Sequence, residues 1–313
     1  MTRIFFATDI HGSQRCFMKF VNAAKVYRVD HLILGGDITG KMVIPIIEKG
    51  GFYEATYFGN TYKLQSNQLT EFEKFVADTG NYAYRTSEKE MEELRSDREK
   101  LETLFKRLIL TRLDNWLNTI KERLKPMGVK VYISGGNDDF YEVEQVLKSS
   151  PYIIDPEGAV IDIDGHEMIT SGYSNITPWR CPRDISEEEL AEKIESMTSK
   201  LHEPTRAIFN LHVPPFNSGI DLAPKLDENL RPIVGATGTP EMIPVGSTAV
   251  RAAIERYQPL LGLHGHIHES RGFAKIGVTL CINPGSEYSE GILRGAFIEL
   301  RQEGIKQYLL TEG

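Results

Sequence analysis

Five short polar clusters punctuate this sequence, and each follows an apolar run of strand length. Asp9-Ile10-His11 follows Ile4-Phe5-Phe6-Ala7, and Asp37 follows His31-Leu32-Ile33-Leu34. Asn137-Asp138 comes after Val131-Tyr132-Ile133, His212 after Ile208-Phe209, and His264-Gly265-His266-Ile267-His268 after Leu263. Carboxylates, imidazoles and one amide oxygen make a donor set suited to borderline divalent metals such as Mn, Fe, Co, Ni or Zn. The set lacks cysteine, which argues against a purely structural zinc site. Seven candidate ligands stand out: Asp9, His11, Asp37, Asn137, His212, His266 and His268. They are too many for one tetrahedral ion and enough for two ions that share a carboxylate, with room left for water. Glycines flank most of the clusters and permit tight turns and close backbone approach.

These clusters can act together only if the elements before them end at one place. In open parallel sheets, ligands bind beyond the carboxyl ends of the strands. Residues 3 to 35 read as β-α-β, with Ser13 capping a helix that carries Phe17, Phe20, Val21 and Ala24 on one face. The alternation breaks over 41–128, where an inserted, largely helical subdomain is expected within a single domain spanning 1–313. A hairpin turning at Gly59-Asn60 is predicted there, followed by a short helix from Leu69 to about Gly80. Ser87 to Glu90 has capping-box form and opens one long helical stretch, which Pro126 and Gly128 stop. The β-α alternation resumes at Lys130. A hairpin is expected over 158–172, helices over 186–200 and 248–257, and strands over 206–210, 259–263 and 272–311. Residues 214–247, rich in Pro and Gly, read as a long loop.

Composition narrows the partners. The chain has 313 residues, 41% of them hydrophobic, which is enough for a sizeable core. Its net charge of −8 argues against DNA or other long polyanions as partners, because binding them usually needs a basic face. Three cysteines with no CxxC pair fit a reducing cytoplasm better than a disulfide framework. The apolar run at the start is too short for a signal peptide or a membrane span.

The ordered set Asp9-Ile10-His11, Gly36-Asp37, Gly136-Asn137, His212 and Gly265-His266-Ile267-His268 resembles the signature of the calcineurin-like metallophosphoesterases. Each piece is weak alone, and the ordered set is specific. The resemblance implies an α/β fold: a four-layer α/β/β/α sandwich of two mixed sheets flanked by helices. It implies that Asp9, His11, Asp37 and His268 hold one divalent ion. Asp37, Asn137, His212 and His266 hold the other, with Asp37 bridging and Mn favoured. Two ions roughly 3.5–4 Å apart can share a water and lower its pKa toward about 7, giving a hydroxide that attacks phosphorus. The expected activity is hydrolysis of a small phosphodiester, nucleotide or phosphomonoester. A non-catalytic metal- or nucleotide-binding module and a nuclease are the alternatives.

One position departs from the pattern. The family usually has His after the Gly-Asn pair, and here Asp138 stands. Asp138 is either a general acid or a residue that orients His212 or a water, and the supporting role is favoured. His264 reads as a packing residue, and His31, His166 and His202 as turn or surface histidines. Lys41 is read either as a phosphate contact or as a solvated residue at a helix start. Ser286 or Tyr288 is expected near the pocket, and Trp179, Arg180 and Arg183 on the surface.

Overall fold

The computed structural model describes residues 1–236 and 238–313. Two six-stranded sheets form the core. The chain first lays down β1 (Thr2–Ala7), β2 (His31–Gly35), β3 (Lys130–Ser134) and β4 (Ile153–Ile154) of one sheet. It then builds the second sheet from β5 (Val160–Ile163), β6 (His166–Ser171), β7 (Ile208–Leu211), β8 (Leu261–Leu263), β9 (Gly272–Ile276) and β10 (Thr279–Asn283). Finally β11 (Arg294–Arg301) and β12 (Gly304–Glu312) return to the first sheet. The first sheet runs β12-β11-β1-β2-β3-β4 and the second β9-β10-β8-β7-β6-β5. Both are mixed. In the first, β1, β2 and β3 pair in parallel, while β1 and β11 pair antiparallel.

Side-chain alternation makes this a sandwich. Successive residues of a strand face opposite sides of its sheet. Ile4 and Phe6 of β1 meet Ile33, Tyr132, Met168, Ile208 and Leu263 in the apolar layer between the sheets. Phe5 and Ala7 face the other way, into a layer with Phe17 and Phe20. Those two belong to α1 (Gln14–Val26), whose N-terminus Ser13 caps by accepting from the Cys16 amide. Outside the second sheet, Phe209 and Leu211 of β7 are covered by Leu190 and Ile194 of Glu187–Thr198 and by Val250 and Ile254 of Thr248–Tyr257. Each fully buried large apolar side chain contributes about 1.5–3 kcal/mol. Ile4–Ala7 and Ile208-Phe209 are unbroken apolar runs because helices and the partner sheet cover both faces of these strands.

Residues 41–128 hold three helices, Leu69–Asp78, Glu88–Ser96 and Arg98–Leu124, as well as a four-stranded sheet. The hairpin forms from Tyr53–Tyr57 and Asn60–Leu64, but its turn is Phe58-Gly59 in left-handed backbone, one residue before the expected Gly59-Asn60, and Asn60 pairs with Tyr57. Val43–Glu48 and Tyr82–Ser87 add two strands that the periodicity does not announce, paired in parallel across a long separation. The long helical stretch is interrupted at Asp97. That residue leaves helical backbone (φ −128°, ψ 96°) and caps the second helix by accepting from the Lys100 amide. The second helix packs on α1, with the Trp116 ring stacked on Phe17 at 4.2 Å and 1°.

Candidate metal centre

The structure gathers all five clusters at the facing rims of the two sheets. Asp9 and His11 follow β1, Asp37 follows β2, and Asn137 follows β3. His212 follows β7, and His266 and His268 follow β8. Asp9, His11, Asp37, Asn137 and His212 are buried, all at 4% exposure or less. Burying so many ionisable groups costs free energy unless they are paired or bind a cation.

The geometry defines two adjacent groups. Asp9, His11 and His268 bring their ligand atoms within 4.8 Å of one another, and so do Asp37, His212 and His266. His11, Asp37 and Asp138 form a third group that links them. Asp37 lies between: Oδ2 is 3.7 Å from His11 Nε2, and Oδ1 is 3.4 Å from His212 Nε2. His268 Nε2 is 3.4 Å from Asp9 Oδ1 and 3.0 Å from His11 Nε2. Two donors each about 2.0–2.2 Å from one ion lie roughly 3–3.5 Å apart, so these spacings suit a shared cation.

Backbone strain marks the same residues. Asp9, His11, Asp37 and His266 all have positive φ, between 38° and 65°. Such conformations are uncommon outside glycine and cluster at functional sites. The adjacent glycines allow the approach. A Cβ on Gly136 would collide with Asp37, and one on Gly265 would collide with Asp9 and Thr8.

A surrounding layer fixes which atom each ligand presents. His212 Nδ1 lies 3.0 Å from the Gly35 carbonyl, which directs Nε2 at the carboxylates. Thr8 donates to Asp9 Oδ2 at 2.7 Å, and Ser286 donates to the Asp9 carbonyl at 2.6 Å. Asp139 accepts from the amides of Ile38, Thr39 and Gly136 and from the Thr39 hydroxyl, tying the Asp37 loop to the Asn137 loop. Asp184 accepts from Asn137 Nδ2 at 2.8 Å.

The electrostatics favour a ligand-ready state. Burial opposes charge on Asp9 and Asp37, yet His212 and its neighbours hold both carboxyls below the usual range. Burial, reinforced by the Lys41 charge, lowers His11 to about 3. Burial with His212 nearby takes His266 to about 4. Burial would also lower His212, but Asp37 and Asp9 outweigh it and lift it to about 9. The ionised carboxylates and the neutral imidazoles of His11 and His266 are in the forms a divalent ion requires, whereas His212 holds a proton that a binding ion must displace. His11 Nδ1 and His212 Nε2 are buried without a hydrogen-bond partner among the described residues. An ion among these donors would satisfy His212 Nε2.

No family model matches the chain. A curated relative, the uncharacterized protein MJ1162 of Methanocaldococcus jannaschii, is 33% identical over 152 residues. That match covers 48% of this chain and 61% of the relative's length. Among solved structures, one crystal structure is similar at a TM-score of 0.59 and 17% identity, covering 99% of this chain and 98% of its own. TT1561 of Thermus thermophilus is similar at 0.56 and 13%, covering 100% and 98%. The chain shares its overall fold, two mixed sheets flanked by helices, with these two structures.

Within that fold, several residues sit elsewhere than the sequence suggests. Arg183, expected on the surface, is 0% exposed. Its guanidinium donates to the carbonyls of Asp139 and Phe140 and to Glu144, and its amide donates to the Asn137 carbonyl. His31 and His166, read as turn or surface histidines, are buried, and His31 Nε2 lies 2.8 Å from Asp164. Lys41 is not at a helix start: it precedes the strand Val43–Glu48, with Nζ 3.0 Å from Asp138 Oδ2. His264 turns away from the ligands, with Nδ1 2.8 Å from the Leu211 carbonyl. The Tyr288 ring lies 4.6 Å from His11. Asp139, Arg183 and Asp184 carry no local signal of their role, although the Gly-Asn-Asp-Asp run places Asp139 beside the cluster. Among the described residues no helix is long and apolar enough to cross a membrane.

Proposed function

We propose that this chain is a metal-dependent phosphoesterase of the calcineurin-like family that hydrolyses a small phosphate ester with two divalent ions. The observation that carries this reading is Asp37, set between the His11 side and the His212 side of one buried cluster. Asp9, His11 and His268 would complete one ion's ligands, and Asn137, His212 and His266 the other's. When bound, such a pair acidifies water and offsets negative charge on phosphoryl oxygens. The chain supplies the rest. Gly35 and Asp184 hold the His212 and Asn137 donors in orientation, and buried walls restrict water. Manganese is the ion we favour among the Mn, Fe, Co, Ni and Zn that the mixed oxygen and nitrogen donor set admits. We assign residues 41–128 as an insertion in a single domain, where Gly40 and Gly80 meet beside His11. The free thiols of Cys16, Cys181 and Cys281 support a cytoplasmic setting.

Protein loaded with Mn²⁺ should hydrolyse p-nitrophenyl phosphate or bis-p-nitrophenyl phosphate, and chelation should abolish the activity. Stoichiometric metal without turnover of either ester would refute the reading.

A further inference from the structure

At the rim of the cluster, Asp138 occupies the position after Asn137 and presents a carboxylate where an anionic substrate must arrive. Its amide donates to Asp37 Oδ1 at 3.1 Å, which fixes the backbone against the bridging candidate. Its Oδ2 lies 4.0 Å from His11 Nδ1. An uncompensated carboxylate there would repel a phosphoryl group.

Compensation comes from Lys41, 3.0 Å from the same oxygen. The two side chains are 45% and 31% exposed, so the pair opens to solvent rather than closing into the core. The backbone before Lys41 is well anchored. The Gly40 amide donates to Tyr82 Oη at 3.0 Å, and a Cβ at Gly40 would collide with the Gly80 carbonyl. Arg112 lies over the Tyr82 ring at 4.1 Å and donates to the carbonyls of Gly12 and Asn81, both at 2.8 Å. Residues 41–128 therefore help position a cation beside the ligands. An ammonium has three N–H donors, and pairing with one carboxylate leaves capacity for a further acceptor.

We propose that Lys41 and Asp138 form one anion-recognition unit, in which the Lys41 ammonium receives a phosphoryl oxygen of the substrate and Asp138 holds it in place. This rests on the phosphoesterase reading and deepens it. Lys41 both offers donors and cancels the Asp138 charge. Its loss should therefore harm a dianionic phosphomonoester more than a monoanionic diester.

The test compares Lys41→Met, Asp138→Asn and the double variant, all loaded with Mn²⁺. Lys41→Met should raise KM for p-nitrophenyl phosphate roughly tenfold, the size of one lost charge-assisted hydrogen bond. The rise should be smaller for bis-p-nitrophenyl phosphate, and kcat should change less than KM. Adding Asp138→Asn to Lys41→Met should recover part of the loss, because the exposed charge is then gone. An unchanged KM in Lys41→Met, or a double variant no better than Lys41→Met, would overturn the proposal. Calorimetric binding of inorganic phosphate separates this from the hydrolase reading. If the wild type turns over neither ester, the hydrolase reading fails, and Lys41→Met must still weaken phosphate binding. Equal phosphate affinity in the two proteins would overturn the Lys41 assignment by itself.

Discussion

Asp184 accepts a 2.8 Å hydrogen bond from the Asn137 side-chain nitrogen, which leaves the Asn137 oxygen facing His266 Nδ1 at 2.9 Å. A carboxylate accepts only, so it selects the NH₂ end of the amide and turns the ligating end inward. Asp184 also accepts from the Thr177 and Cys181 amides, so its own orientation is fixed. Asp184→Ala should weaken binding of one metal ion by about 10–100-fold, the usual cost of losing a group that orients a ligand. Metal content after dialysis checks this: the variant should retain fewer ions per chain than the wild type. Equal retention would show that the amide needs no such partner.

Asp139 joins the Asp37 loop to the Asn137 loop through four hydrogen bonds, at 0% exposure. Asp139→Ala leaves three amides and a hydroxyl without their acceptor. The expected loss is about 3 kcal/mol of folding stability, because stranded buried donors cost about 1–3 kcal/mol each and partial hydration recovers some of it. Urea unfolding of the metal-free protein measures it.

These two residues mark where the sequence stops being legible. The ligands themselves can be read, because each follows an apolar strand and strands of a covered sheet are apolar on both faces. The β-α-β start, the 158–172 hairpin and the helix from Thr248 follow the same periodic logic. Asp184 acts on Asn137 from 47 positions away, with no local pattern to announce it. Arg183 reads as a surface residue in a Pro-containing loop, and it is buried only because carbonyls of a distant turn and Glu144 accept its donors. The strands Val43–Glu48 and Tyr82–Ser87 pair across an intervening hairpin and helix, so neither carries its partner's signal. Asp97 breaks a helix with neither Gly nor Pro, through its own capping bond. Lys41 and Asp138 are visible singly, and their pairing depends on the fold.

Glu157 gives the protein a pH-dependent stability outside the metal cluster. It is partly buried and accepts from the Gly172 amide at 2.7 Å, and burial pushes its carboxyl up from 4.5 to about 7. The folded state thus holds this proton where the unfolded chain has released it. Between about pH 4.5 and 7 the folded state binds more protons, so stability falls as pH rises. Relative to acid conditions, this group costs roughly 1–3 kcal/mol of stability at pH 8. Glu157→Gln should remove that cost, making the variant's urea midpoint less pH-dependent than the wild type's over that window. Parallel midpoint curves for the two proteins would contradict the assignment.

If seven side chains, with Asp37 shared, hold two ions that together support phosphoester hydrolysis, activity must follow the filling of both sites. Stepwise addition of Mn²⁺ to the metal-free protein, with p-nitrophenyl ester turnover followed at each step, tests this most directly. Turnover should rise chiefly with the second equivalent per chain and be lost in Asp37→Asn. Full turnover at one equivalent, or none with two ions bound, would contradict it.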